Sequence, residues 1–218
     1  MNSIMQGFPY KLYLVIGEEY CHGRDLFWVA EEAVKGGVDL VQLREKHKST
    51  AEFTLIAQKL KRLLDSYNIP LIINDNLNVA MAIGATGIHV GNSDTPPSEI
   101  KRLWPECQLL GYSIESVEQL DNREIQFADH LGISPVFSTP TKTDTITQWG
   151  IQGIGLIHSL TDKPLIAIGR MSASNAYDVI NAGAHCIAVV SAICSAENPK
   201  QAAIEIKNEI MKAYAQKV

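Results

Sequence analysis

Residues 71–94 read LIINDNLNVAMAIGATGIHVGNSD, and this stretch decides the fold. It contains two short apolar runs, Leu71–Asn74 and Gly87–Val90, that are rich in Ile and Val and do not alternate strictly with polar residues. Such runs are typical of parallel strands that are buried on both faces. The segment between them is predicted to be helical and to end at Gly84, since glycine commonly terminates helices. The stretch therefore predicts a strand–helix–strand unit.

The same alternation recurs along the 218 residues. Helix starts are indicated by the capping-box spacing of Ser49 and Glu52 and by Asn198 followed by Pro199. Eight such units of about 27 residues each fit a compact (β/α)₈ TIM barrel in one domain, 1–218, with a core of about 11–213. A doubly wound sheet is the alternative, but no Gly-rich dinucleotide turn follows the first strand. The predicted strands are Leu12–Ile16, Asp39–Leu43, Leu71–Asn74, Gly87–Val90, Gln108–Ser113, His130–Ser134, Leu165–Ile168 and Cys186–Ser191.

The composition excludes several classes of protein. Hydrophobic residues make up 46% of the chain, charged residues 20%, and the formal net charge is −5. No apolar run reaches the about 18–20 residues of a membrane span, and the N-terminal segment lacks a signal-peptide pattern. Without a basic block, a nucleic-acid surface is not expected. We expect a cytoplasmic protein that acts on small molecules, with four buried thiols that bind no metal; the sequence leaves open whether it forms a homo-oligomer.

Two acidic residues follow neighbouring predicted strands, where the reactive groups of such barrels lie. Asp75 comes directly after the third strand and Asp94 shortly after the fourth. Two converging carboxylates repel each other unless a cation lies between them, and Mg²⁺ is commonly held by one or two carboxylates, water and substrate phosphate oxygens. The pair therefore predicts a Mg²⁺ site, although either residue alone could simply cap a helix.

Cations follow strands on the same rim of the predicted barrel. Arg44, Lys46 and Lys142 would remain to bind a diphosphate once the two aspartates have balanced one Mg²⁺. Solvated surface charge is the alternative for each of them. The loops after the last two strands, 168–172 and 189–193, commonly form a phosphate site in these barrels. The spacing thus predicts two anion sites and two phosphorylated reactants.

The residues 134–144, SPVFSTPTKTD, have neither helical nor strand period. A loop of this length in an otherwise economical barrel is predicted to be a functional lid whose hydroxyl groups can donate to phosphate. The histidines are less informative, and none is assigned a catalytic role.

Taken together, these residues resemble the thiamine-phosphate synthase family, also called thiamine-phosphate pyrophosphorylases. Each matching segment is common by itself, whereas the ordered set from about residue 11 to 195 is fairly specific. The segments are QLREK at 42–46, Asn74-Asp75, GIHVG at 87–91 followed by Asp94, TPTK at 139–142, AIG at 167–169 and AVVSAI at 188–193.

The resemblance implies a Mg²⁺-dependent transferase of thiamine biosynthesis. It would join 4-amino-2-methyl-5-hydroxymethylpyrimidine diphosphate to hydroxyethylthiazole phosphate, with release of diphosphate. Asp75 and Asp94 would bind the metal, while Arg44, Lys46, Ser113 and Lys142 would act in catalysis. The residues implied to hold the pyrimidine diphosphate are Gln42, Leu43, Arg44, Glu45, Lys46, Asn74, Ser113 and Lys142. Those implied to hold the thiazole phosphate are Thr139, Pro140, Thr141, Arg170, Val190 and Ser191.

Three positions depart from the family pattern. The family usually has Arg where this chain has Asn76, Gly where it has Arg170 and Tyr where it has His130. Two alternative functions therefore stay open: a thiazole tautomerase-like enzyme, and a non-catalytic barrel that binds a thiamine precursor. The two aspartates and the TPTK segment speak against the tautomerase, whereas Asn76 or Arg170 would account for a loss of turnover.

Overall fold

The computed structural model describes residues 8–138 and 148–216, so that Thr139, Pro140, Thr141 and Lys142 lie outside the described residues. Eight parallel strands close into a barrel in sequence order, with β8 paired to β1. This confirms the predicted (β/α)₈ barrel, and strand ends that differ from the prediction do so by one or two residues. The strands are β1 (Leu12–Ile16), β2 (Leu40–Leu43), β3 (Leu71–Asn74), β4 (Gly87–Val90), β5 (Leu109–Ile114), β6 (His130–Ile133), β7 (Leu165–Ile168) and β8 (Cys186–Val189).

Helices surround the barrel and begin where the local chemistry predicts. The Ser49 hydroxyl accepts from the Glu52 N–H at 3.3 Å, and the Glu52 carboxylate accepts from the Ser49 N–H at 3.0 Å. Asn198 caps the last helix by accepting from the Gln201 N–H at 3.0 Å. No helix in the described ranges is long and apolar enough to span a membrane. The α-helices are α1 (Leu26–Lys35), α2 (Thr50–Asp65), α3 (Leu77–Ile83), α4 (Pro97–Leu103), α5 (Gly150–Leu160), α6 (Ala173–Asn181), α7 (Ser191–Cys194) and α8 (Pro199–Ala215).

The connection from β5 to β6 differs from the regular pattern. It contains two short 3₁₀ helices, Val117–Asp121 and Arg123–Phe127, in place of an α-helix. Asn122 ends the first in an extended conformation, and its side chain caps the second by accepting from the Glu124 N–H at 3.0 Å. A new helical segment begins after this asparagine, so the regular α-helix expected after the fifth strand does not form.

Alternation along each strand separates two apolar regions. In β2, Val41 and Leu43 belong to the large core between barrel and helices, whereas Leu40 packs inside the barrel. Phe8 joins the same interior cluster. Every second side chain of a strand thus points into the barrel. Near the carboxyl ends of the strands, these inward positions are occupied by polar residues.

Glycines make room for large rings inside the barrel. A Cβ added at Gly111 in β5 would lie 2.2 Å from Nδ1 of His89 and 2.4 Å from Nε2 of His130. No side chain fits there unless one of these buried rings moves. Gly111 therefore sets the spacing of the two imidazoles below the site described next.

We predict that Gly111→Ala lowers the free energy of unfolding by about 1–3 kcal/mol, the usual cost of overpacking a core. The matched control is Gly155→Ala in α5, where the nearest heavy atom to a new Cβ is the Ala182 carbonyl oxygen at 3.7 Å. Because alanine is the better helix former, this control gains up to about 1 kcal/mol. Urea denaturation of both variants measures the difference, and equal stabilities would contradict the packing argument.

Candidate active site

A cavity of about 400 Å³ opens at the carboxyl ends of the strands. Ten of the residues predicted from the sequence line it, coming from the ends of β2, β3, β5, β7 and β8 and the segments that follow β3 and β4. They are Gln42, Arg44, Lys46, Asn74, Asp75, Asp94, Ser113, Arg170, Val190 and Ser191. Further polar or aromatic residues of the lining were not among the predicted site residues. They are Tyr13, Tyr20, His89, Asn92, Ser93, Glu115 and Ser134.

Two of the predicted binding residues do not line this cavity. Leu43 is fully buried in the core outside the barrel. The Glu45 carboxylate accepts a hydrogen bond from the Glu18 N–H at 2.7 Å and so fixes the segment after β1. Burial raises the pKa of Glu45 above its ordinary value.

The two aspartates approach each other at the mouth of the cavity. Asp94 accepts from the Gly91 N–H at 2.8 Å, and Asp75 forms an ion pair with Lys46, whose Nζ lies 2.6 Å from its carboxylate. Burial raises the pKa of Asp94, and the neighbouring Asp75 carboxylate raises it further. The carboxylates therefore repel each other, as their positions after β3 and β4 predict.

Neither aspartate caps a helix, which removes the simplest structural explanation for the pair. The N-cap of α3 is Asn76, whose side chain accepts from the Val79 N–H at 3.0 Å, and the N-cap of α4 is Pro96. Asp75 itself has a left-handed backbone conformation (φ 60°). Non-glycine residues in this region are uncommon and often mark functional sites.

The departure at Asn76 thus has a local role. The asparagine satisfies an N–H group in the first turn of α3 that no helical carbonyl can reach. Its short side chain forms this cap. Positive charge near the aspartates comes instead from Lys46.

Arg44 is held from the opposite side by the segment after β1. Its guanidinium donates to the Tyr20 hydroxyl and lies 3.6 Å from the Glu19 carboxylate. Its backbone carbonyl lies so close to Gly17 that a Cβ there would be 2.3 Å from that oxygen. The close approach of the two chains places the charge of Arg44 at the cavity edge.

An aromatic column runs from the cavity into the barrel. Ser113 Oγ and His89 Nε2 share a hydrogen bond of 2.8 Å. The His89 ring stacks on His130 with 5.9 Å between centroids, and Phe8 lies 5.3 Å beyond. His130 is completely buried, and within the described ranges neither of its ring nitrogens has a hydrogen-bond partner. Burial, followed by the proximity of His89, lowers the pKa of His130, so that this ring stays neutral.

His89 was not predicted to belong to the site, because its place within a single strand does not show which rings of the neighbouring strands it meets. In β4, Ile88 and Val90 belong to the outer core, which leaves Gly87 and His89 facing inward. Strand alternation carried the signal: a histidine two residues after an inward glycine must reach the barrel interior.

Gln42 is fixed in a similar manner. It is only 4% exposed, and its amide donates to the Tyr13 hydroxyl at 2.7 Å. Burial raises the pKa of Tyr13, so the phenol remains protonated. A positioned amide next to a buried phenol offers directional hydrogen bonding to a flat polar ring.

The donor chemistry at the rim fits Mg²⁺ better than a transition metal. No cluster of three or more His, Cys, Asp or Glu side chains able to hold an ion occurs in the part of the chain that the structure describes. Mg²⁺ is usually bound through one or two carboxylates and completes its shell with water and substrate phosphates. Asp75 and Asp94 supply such an incomplete set.

The ends of β7 and β8 form the other side of the cavity. Gly169 (φ 117°) lies against the segment after β6, where a Cβ would be 2.8 Å from the Val136 nitrogen. Val136 N–H donates to the Ile168 carbonyl at 2.8 Å, and Phe137 N–H donates to Gly169. Gly169 is therefore required by the close approach of two backbones.

Comparison with known proteins identifies the family of this chain. A family model described as thiamine monophosphate synthase matches residues 12–193. A thiamine-phosphate synthase of Albidiferax ferrireducens is 44% identical over 200 residues, covering 92% of this chain and 91% of the relative. One of Leptospira biflexa is 42% identical over 96% of this chain and its own full length.

A solved structure gives the same relationship. The thiamine phosphate pyrophosphorylase from Pyrococcus furiosus superimposes with a TM-score of 0.84 at 29% identity, covering 94% of this chain and 96% of that one. A 3-hexulose-6-phosphate synthase, at 15% identity and a TM-score of 0.69, shares the fold alone. From the extent of the family match and the identity to its members, this chain belongs to the thiamine-phosphate synthase family.

Proposed function

We propose that the protein joins 4-amino-2-methyl-5-hydroxymethylpyrimidine diphosphate to hydroxyethylthiazole phosphate, giving thiamine phosphate and diphosphate. The observation that carries this proposal is the acidic pair Asp75 and Asp94 beside Lys46 and Arg44 in one cavity. The synthases of A. ferrireducens and L. biflexa, at 44% and 42% identity over almost the whole chain, support the same reaction. We place this activity in the cytoplasm, on two small molecules.

Asp75 and Asp94 would hold Mg²⁺ together with the diphosphate. When bound, the ion supplies positive charge that stabilises the departing diphosphate. Their mutual repulsion supports this assignment, because a divalent cation relieves it. Lys46 already lies against Asp75 and so can reach an anion bound at the same place.

The reaction mainly requires the protein to supply positive charge and to orient the two substrates. The bond between the pyrimidine methylene carbon and the diphosphate oxygen breaks, and the thiazole nitrogen then forms the new bond to this carbon. Arg44 and Lys46 would stabilise the negative charge that develops on the leaving group. The thiazole nitrogen carries no proton to be removed, so no general base is required. Lys142 is proposed to add to this charge.

Gln42 and Ser113 would orient the pyrimidine. The Gln42 amide is fixed by Tyr13, and the Ser113 hydroxyl by His89. Donors held in this manner cost no reorganisation when the substrate reacts. The stacked His89 and His130 thus act from behind the residues that would contact substrate.

An assay with both phosphorylated heterocycles, with and without Mg²⁺, tests the proposal. Thiamine phosphate formed only in the presence of the metal supports the synthase. Precursor binding without product would indicate a binding protein, and rearrangement of a thiazole phosphate without the pyrimidine would indicate a tautomerase. Either of these results would contradict the proposal.

We predict that Asp94→Asn raises the Mg²⁺ concentration for half-maximal rate by at least about tenfold, because a neutral amide is a poorer ligand for a hard cation. Asp162→Asn, at an exposed position away from the cavity, is the control for loss of one surface charge. Metal titrations of the initial rate compare the two variants. An unchanged titration for Asp94→Asn would remove Asp94 from the metal site.

We also predict that Asp94→Asn is more stable than the parent protein at neutral pH without metal or substrate. The pKa of Asp94 is raised by burial and by Asp75, so its charged form opposes folding. The gain is complete above this raised pKa, shrinks as the pH falls through it, and vanishes below about 3.8, the usual value for aspartate. Urea denaturation across this pH range measures the gain. A loss of stability at neutral pH would contradict the electrostatic argument.

A further inference from the structure

Two cysteines lie together near the carboxyl ends of the strands. Cys21 ends the short 3₁₀ helix Glu18–Cys21 after β1, and Cys194 ends α7 after β8. Because β8 pairs with β1 in the closed barrel, these two helices contact each other although they are far apart along the chain. The two thiols are hydrogen-bonded to each other. The fold thus brings together two nucleophilic groups that the proposed synthase reaction does not use.

Polar contacts on either side hold the two segments against each other. The Arg24 guanidinium donates to the Cys21 carbonyl at 3.3 Å and also to the Cys194 carbonyl. One residue further along each segment, the His22 ring and the Ser195 hydroxyl share a hydrogen bond of 3.1 Å. The contact between the thiols is therefore supported by the backbone around them.

The two thiols differ in acidity. Hydrogen bonding by the Cys194 thiol, together with the charge of Arg24, holds the pKa of Cys21 below its ordinary value, although burial opposes this effect. The same contact with Cys21, followed by burial, raises the pKa of Cys194. Cys21 is therefore the group that supplies the thiolate, the nucleophilic form of cysteine, while Cys194 keeps its proton. A reactive thiol beside a second thiol that can attack it is the usual arrangement of an oxidation-sensitive site.

The other two cysteines lie in a different environment. Cys107 and Cys186 are buried, and burial raises the pKa of both thiols. Buried thiols of raised pKa react slowly because little thiolate is present. Cys107 and Cys186 are thus matched internal controls for the chemistry of Cys21.

We infer that Cys21 and Cys194 form a reversible oxidation site for hydrogen peroxide, which converts the two neighbouring thiols into an intramolecular disulfide. The Cys21 thiolate attacks one peroxide oxygen, the O–O bond breaks, and the departing hydroxide takes up the proton lost by Cys21 to give water. Cys21 is now a sulfenic acid. The Cys194 sulfur attacks the Cys21 sulfur, the S–S bond forms, and the sulfenic hydroxyl leaves with the Cys194 proton as a second water. Two thiols are oxidised and one peroxide is reduced.

The burial of the pair selects a small oxidant. Both side chains are fully buried, whereas His22 and Gly23, which follow Cys21, are exposed. A local displacement of this exposed turn is sufficient to admit a molecule as small as hydrogen peroxide. Cytosolic disulfides are usually transient and formed in response to oxidants, which agrees with a bridge that a thiol reductant reopens.

The bridge would lie beside the candidate active site without using its proposed catalytic residues. Tyr20, which precedes Cys21, lines the cavity and accepts from Arg44, and α7 begins at Ser191 in the cavity wall. The disulfide would therefore join two segments of this wall. The inference concerns the thiols and does not rest on the proposed synthase function.

Treatment of the purified, fully reduced protein with hydrogen peroxide tests the inference. The remaining thiols are alkylated after denaturation and counted from the intact mass. We expect the loss of two of the four thiols, a mass decrease of about 2 Da before alkylation, and recovery of all four thiols with dithiothreitol.

Peptide mapping and serine variants identify the bridged pair. Trypsin releases Cys21 in residues 12–24 and Cys194 together with Cys186 in residues 171–200, so the Cys186→Ser variant shows which of these two is joined to Cys21. Cys186→Ser and Cys107→Ser should still lose two thiols. Cys21→Ser should keep all of its remaining thiols, and Cys194→Ser should accumulate a sulfenic acid at Cys21 that dimedone labels.

Three results would overturn the inference. They are retention of all four thiols in the parent protein at peroxide concentrations that oxidise free cysteine, a disulfide that joins other cysteines or two chains, and the same thiol loss in Cys21→Ser as in the parent. The first two are read from the parent protein alone, so a variant that does not fold leaves the test intact. A failed synthase assay changes none of these outcomes.

Discussion

The arrangement of the site depends on the repulsion between Asp75 and Asp94 at the rim of the barrel. Folding brings the two carboxylates together although this raises the pKa of Asp94; among the described residues, Lys46 pairs with Asp75 and offsets part of the charge. Such an arrangement disfavours the free protein and favours a state with an added cation. In the proposed function, binding of Mg²⁺ and diphosphate would relieve this electrostatic cost.

The barrel positions the site through strand alternation. Apolar inward residues such as Leu40 fill the interior near the start of the strands, and polar ones such as Gln42 and His89 occupy the inward positions closer to the carboxyl ends. Gly111 allows the imidazole of His89 to stack on that of His130, and the hydrogen bond that His89 shares with Ser113 holds this serine. The packing inside the barrel thus fixes the position of the Ser113 hydroxyl group in the cavity.

The fold could be predicted from the sequence because each strand–helix unit carries its own pattern of apolar runs and caps. The two 3₁₀ helices on either side of Asn122 could not be predicted. The side chain of Asn122 caps a new helical segment where the regular alternation of strands and helices predicts one continuous helix. For the site, a position shortly after a strand was enough to predict that Asp75 and Asp94 lie at the rim of the barrel. It did not suffice for His89, whose position depends on the glycine of a neighbouring strand, nor for Glu45, whose carboxylate accepts from a backbone N–H.

The most direct test of the central claim is a crystal structure with the pyrimidine diphosphate and Mn²⁺ as an anomalous substitute for Mg²⁺. The account predicts one anomalous peak between the carboxylates of Asp75 and Asp94, with diphosphate oxygens completing the coordination. A bound diphosphate with no ion at the two aspartates, or with the ion held elsewhere, would contradict it.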